Sequence, residues 1–174
     1  KCPADYKKAT EDGITIDVRS SATLNDTIPI NEAAYARAGI KVKFNIISAG
    51  YYPTVMDPAK QKDLSTSGWG ADWANASTVI PELFASFGGF NLSQNTADPA
   101  YKAFEDKVNI AMKTTDRKKQ AAMWKELDAY AMKQMWVLPT TFGKAQEVWG
   151  SQISGVFFWV PQGNPAYGKI WINN

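Results

Sequence analysis

Hydrophobic and polar positions along this 174-residue chain change their period several times, and each change predicts an element. Ile14-Thr15-Ile16-Asp17-Val18 alternates in period two behind Gly13, which reads as a strand. Asn31 to Ala38 is alanine-rich and closes at Gly39, a helix with its C-terminal glycine. Val42 to Ile47 alternates again as a second strand. Strand, helix, strand at this spacing is a βαβ unit, so the two strands should run parallel. A short helix over Tyr51 to Met56 then leads to a third strand near Asp63 to Gly68.

The middle of the chain is loop-rich, with Gly68-Trp69-Gly70-Ala71-Asp72-Trp73 and later Gly88-Gly89-Phe90-Asn91. Between these loops Ser77 can cap a helix through Val79 and Leu83, with Pro81 in its first turn. Asp98-Pro99 reads as an N-cap followed by proline, and behind it Tyr101, Phe104, Val108 and Met112 share one face. Thr115 or Asp116 starts a second long helix with the stripe Met123, Trp124, Leu127, Tyr130 and Ala131. Helical spacing makes both stripes core. The chain then turns strand-like over Trp136 to Thr141, Gln146 to Trp149, Gly155 to Trp159 and Lys169 to Ile172. Between Ala145 and Asn174 the charged residues are Glu147 and Lys169, so this apolar tail should pack on something outside this stretch of chain.

Composition narrows the function classes. Histidine is absent and Cys2 is the one cysteine, which removes Ser-His-Asp and Cys-His chemistry, His-based acid–base work and His/Cys zinc sites. No cofactor and no metal are called for, and the chain reads as non-enzymatic. No apolar run precedes Cys2 to make it a lipid-anchor cysteine, no run is long enough for a membrane span, and the first residue is not Met. A processed or excised piece is expected. The formal net charge of +2 carries no nucleic-acid footprint. Locally, no Lys or Arg lies between Lys62 and Lys102, whereas Asp63, Asp72, Glu82 and Asp98 do. That stretch is a candidate surface for a cation or an amine.

The series of motifs in this order resembles family five of the ABC-transporter extracellular solute-binding proteins, the oligopeptide- and dipeptide-binding type. Ala38-Gly39-Ile40-Lys41-Val42, Gly50-Tyr51-Tyr52, Gly68-Trp69-Gly70-Ala71-Asp72-Trp73, Asn91-Leu92-Ser93 with Asp98, and Asp116-Arg117 through Trp124 carry the match. Pro139 falls where the family has a proline before its hinge. The "GWxAD" segment is the most specific of these.

The resemblance implies an α/β fold, a periplasmic-binding-protein-like lobe with a mixed sheet and packed helices. It implies a C-terminal ligand-binding lobe over residues 1–141. Residues 142–174 would then be a hinge crossing near Phe142 to Lys144 and a tail returning to a missing N-terminal lobe. It further implies capture of peptides by hinge closure, delivery to ABC permease subunits, and an extracellular, cell-surface or periplasmic location. Contact with the membrane would come only through a lipid anchor outside this chain.

Asp72 matches the family's aspartate that pairs with a peptide α-amino group; on residues alone, capping or turning its loop is the commoner use. Trp69 and Trp73 flank it as pocket walls or as core, with Trp69 favoured for the pocket and Ala71 between them. Asn91 and Ser93 could bond a ligand backbone, although bonds that stabilise their own loop are the commoner use. Asp72 with Glu82 is a weak glycosidase pair. Glu105-Asp106 and Glu126 with Asp128 read as solvated helix faces. The alternatives are the same fold binding a sugar, a metal chelate or another small solute, or an interaction domain with no small ligand.

Overall fold

The computed structural model describes residues 4–93, 95–140, 144, 146–160 and 163–173. Cys2 and the predicted crossing at Phe142 and Gly143 lie outside the described residues. The chain divides into two compact units, Lys1–Gly68 and Trp69–Asn174.

In the first unit α1 (Ala4–Glu11) precedes β1 (Ile14–Arg19), α2 (Leu24–Arg37), β2 (Val42–Ile47), α3 (Tyr51–Val55) and β3 (Leu64–Ser65). The strands form a sheet of order β2-β1-β3, parallel throughout, with Ile14 opposite Val42 and Ile16 opposite Leu64. The βαβ reading therefore holds in the direction of its strands and in their bounds to within a residue. As the central strand of a parallel sheet, β1 buries Ile16, Asp17 and Val18 in succession instead of alternating. The Asp17 carboxylate is fully buried and accepts bonds from Asn45 Nδ2 (2.6 Å) and the Lys62 amide (2.9 Å), which tie it to both sides of the strand.

Two expectations need correction here. The predicted helix begins at Leu24, not Asn31, and runs through Pro29, which forfeits only the bond its missing N–H would make to Asn25. The third strand pairs over two residues only. Beyond them, the buried Tyr51 hydroxyl bonds the Thr66 carbonyl, so a side chain takes the place of a ladder partner.

The second unit packs α4 (Ile80–Phe84), α5 (Tyr101–Lys113) and α6 (Arg117–Lys133) around one core. Ile80, Phe84, Tyr101, Phe104, Val108, Ala111, Trp124, Leu127 and Ala131 form it; of the two predicted stripes, Met123 and Tyr130 are half-buried against this core and Met112 is not part of it. Met112 is 48% exposed and Ala111 is buried in its stead. The turn into α6 brings Gln120 Nε2 to 3.0 Å from the Ala111 carbonyl, so the small residue faces the neighbour and Met112 turns out. Asp116 caps α6, accepting from the Lys118 and Lys119 amides at 3.0 Å. The predicted cap at Asp98 falls two residues early. Its carboxylate accepts from the Ala100 amide (2.8 Å) and its carbonyl from Tyr101 (2.9 Å), a turn that leads into the helix. Likewise Asn75, not Ser77, caps the turn before α4, through a bond to the Ser77 amide (2.9 Å).

Glu105 corrects the solvated-face reading. Its Oε1 accepts from Ser86 Oγ (2.5 Å), the Ser86 amide (2.8 Å) and Tyr101 Oη (2.9 Å). The Ser86 hydroxyl leads the effects that hold its carboxyl below the ordinary glutamate range. A depressed folded value means stabilisation that is present above the unfolded glutamate value and lost as pH falls through the folded one. Thermal melts across the acid range should show wild type converging on Glu105→Gln as pH drops; a constant offset between them would remove this role.

The tail departs most from expectation. Residues 136–140 and 146–149 form no strand, the later runs shrink to β5 (Phe158–Trp159) and β7 (Trp171–Ile172), and β4 (Ile153–Ser154) and β6 (Asn164–Pro165) form where no strand is predicted. The pairs β4-β7 and β5-β6 are antiparallel, so antiparallel pairing lives in these ribbons and the larger sheet is parallel. The cause near Trp136 is the end of α6. Met135 takes φ 56°, its amide bonds Met132 and the Trp136 amide bonds Ala131, a Schellman close. This turns Trp136 back onto Phe104 (4.9 Å between ring centroids), Tyr130 (5.7 Å) and Phe84 (6.1 Å). Farther on, Gly155 sits at φ 74°, where a Cβ would strike the Lys169 carbonyl and the Trp171 ring. Val148, Trp149, Phe157, Val160, Trp171 and Ile172 are all exposed.

Candidate functional site

The loop from Trp69 to Asn75 has no regular secondary structure, yet it is tied down at several points. Trp69 Nε1 donates to the Thr78 carbonyl (2.7 Å), and its ring lies against Phe90 at 5.2 Å. Trp73 Nε1 donates to Ser77 Oγ (3.0 Å). Thr78 Oγ1 donates to Asp72 Oδ2 (2.7 Å) and accepts from the Asp72 amide (3.3 Å). The turn holding Ser77 and Thr78 is fixed in turn by Asn75, whose Nδ2 donates to Gln120 Oε1 on α6 (2.8 Å). A loop that composition alone would leave loose is thus fastened to the helical core.

Asp72 is exposed. One carboxylate oxygen is bonded to Thr78; Oδ1 accepts no bond, and Asp72 makes no ion pair, among the described residues. A fixed, uncompensated carboxylate with an open acceptor is suited to an ammonium group. Trp69 is 38% exposed and Trp73 53%, so both rings keep a face for contact and neither is core. Ala71 is exposed between them.

Trp69 against Phe90 brings the second predicted loop alongside the first. There Asn91 Oδ1 accepts from the Ser93 amide (3.1 Å) and hydroxyl (2.7 Å), while its Nδ2 donates to Asn95 Oδ1 (2.8 Å) and the Ala85 carbonyl (3.3 Å). Both side chains are committed to holding their own loop. Gly88 lets that loop close on α4, where a Cβ would collide with the Pro81 and Glu82 carbonyl oxygens. Glu82 Oε2 accepts from the Gly89 amide (2.9 Å), so this carboxylate also serves the loop.

Thr78 is the residue that the sequence reading missed. It is 1% exposed, and only the closed loop reveals that one side chain serves the carboxylate, the backbone and, through its carbonyl, the tryptophan. Among the described residues, no three His, Cys, Asp or Glu side chains gather as a metal site would need, and no helix is long and apolar enough to cross a membrane.

No family model matches the chain. It does resemble the glutathione-binding protein GsiB of Salmonella typhimurium (strain LT2) and of Salmonella typhi. Each is 24% identical over 173 residues, taking in 91% of this chain and 33% of the relative. Among solved structures, DppA of Helicobacter pylori superposes with a TM-score of 0.64 at 18% identity over 98% of this chain and 35% of its own. That protein is an ABC transporter-associated periplasmic binding protein, seen in complex with the peptide STSA. HbpA2 of Haemophilus parasuis gives 0.64 at 14% identity, over 92% of this chain and 32% of its own.

The resemblance to solute-binding protein family five holds. The fold is that of the periplasmic binding proteins, α/β as the residues predict. The chain spans about a third of the length of the curated relatives it matches. GsiB and DppA are described as binding proteins.

Proposed function

We propose that this chain is the C-terminal lobe of the substrate-binding component of an ABC importer, capturing peptides by their free amino group. Asp72 carries the reading: a carboxylate locked by Thr78, open at Oδ1 and flanked by two exposed tryptophans. In this reading the cleft is shared with an N-terminal lobe, ligand bridges the two lobes, and closure is favoured because some contacts exist only when closed. Residues 1–141 form the lobe, and residues 142–174 cross the hinge and return to the first lobe. The exposed apolar tail supports that return, since Trp149, Phe157 and Trp171 are each more than half exposed. The closed form is delivered to permease subunits, in the periplasm or at the cell surface, and no chemistry is done on the ligand.

Calorimetric titration of the full-length protein with Ser-Thr-Ser-Ala and with glutathione tests this, each against its N-acetylated form. Binding of a free-amine probe roughly 100-fold tighter than of its acetylated form is expected from one charge-assisted contact in a closed cleft. Equal affinity for both forms removes the amine anchor. Silence from every probe overturns the peptide reading in favour of a neutral sugar or a chelate.

A further inference from the structure

We propose that Thr78 is the positioning residue of the binding site, fixing the rotamer of Asp72 so that Oδ1 faces the ligand amine. The assignment rests on the reading of Asp72 as the amine anchor. A threonine hydroxyl has one proton and two lone pairs. Here the proton goes to Asp72 Oδ2 (2.7 Å) and a lone pair accepts the Asp72 amide (3.3 Å), so side chain and backbone of the anchor are gripped by one atom. The Thr78 carbonyl also accepts Trp69 Nε1 (2.7 Å), so the wall of the site is set from the same residue.

Thr78 can act as a fixed point because it is itself immobilised. It is 1% exposed, and its turn is capped by Asn75. Asn75 is bonded to Gln120, and Gln120 to the Ala111 carbonyl (3.0 Å), which joins the turn to both long helices of the core. Asp72, by contrast, is exposed and lies on an irregular loop. Without the hydroxyl its carboxylate would sample its other staggered rotamers in water, and binding would have to order it. The bond also occupies one lone pair of Oδ2 and leaves Oδ1 the less engaged oxygen, so the direction of approach is biased as well as the charge.

The test is calorimetry on the full-length protein with Ser-Thr-Ser-Ala and its N-acetylated form, comparing wild type, Thr78→Val, Thr78→Ala, Thr78→Ser and Asp72→Asn. Thermal melts accompany each variant. The preference for the free amine should fall roughly tenfold in Thr78→Val and Thr78→Ala, the scale of one side chain left to be ordered on binding. It should be retained in Thr78→Ser, and Thr78→Val added to Asp72→Asn should lower it no further. A residue that merely supports the loop would weaken both peptides alike and leave the preference unchanged, and that result overturns the assignment. So does a loss confined to one of the two hydroxyl deletions. If Asp72→Asn itself leaves the preference intact, the amine anchor fails; if it abolishes the preference while Thr78→Val does not, only the positioning role fails.

Discussion

Replacing Phe104 with alanine is expected to lower the unfolding free energy of the second unit by about 3–5 kcal/mol. The ring is 3% exposed and touches three others: Trp136 edge-on at 4.9 Å, Tyr130 stacked at 5.8 Å and Phe84 edge-on at 6.3 Å. Those partners come from α4, α6 and the turn after α6, so no single element can shift to fill the gap. A cavity then remains, and its lining loses dispersion contacts as well as burial. Met112→Ala on the same helix is the natural control. It lies on the face that periodicity predicts as core, yet at 48% exposed it should cost well under 1 kcal/mol. Denaturant melts followed by tryptophan fluorescence compare the two directly. Equal losses would mean that α5 presents a different face to the core.

The contrast between Phe104 and Met112 shows where sequence reading was strong. A period of 3.6 reflects burial on one face, so α5 and α6 were legible, and so was the Asp116 cap, whose signal is local; β1 and β2 were legible from their apolar alternation although β1 is buried in succession. Met112 lies only one residue beyond the buried Ala111, and what decides between them is the approach of Gln120 from another helix. The tail failed for a related reason. Trp136 looks like strand in composition, but the Schellman close of α6 turns its ring inward, and aromatic content alone does not distinguish a strand from an anchor. In the proposed site, Asp72 was singled out by its resemblance to the "GWxAD" segment, since its charge and glycine context alone fit a loop cap as well. Thr78 was not, because its role exists only once the loop between them has folded back.

Asp72→Asn should reduce affinity for a free-amine peptide on the order of 100-fold, about 2.7 kcal/mol, with melting little changed. Asparagine keeps the shape and can still accept from Thr78 Oγ1, so the loop should survive the exchange. What it removes is the charge. A carboxylate and an ammonium ~4 Å apart attract by roughly 4 kcal/mol at an effective dielectric near 20, and part of that is offset by stripping water from both. The exposed setting of Asp72 in this chain matters to the size of the effect. Open to water, the pair would be worth ~1 kcal/mol or less, and salt would screen it further. Only closure over the ligand lifts it to the larger figure. The 174 residues alone should therefore show a much smaller difference between wild type and mutant than the full-length protein does. A full 100-fold difference in the isolated chain would mean that this lobe excludes water by itself, and the shared-cleft mechanism would have to be given up even with Asp72 kept as the anchor.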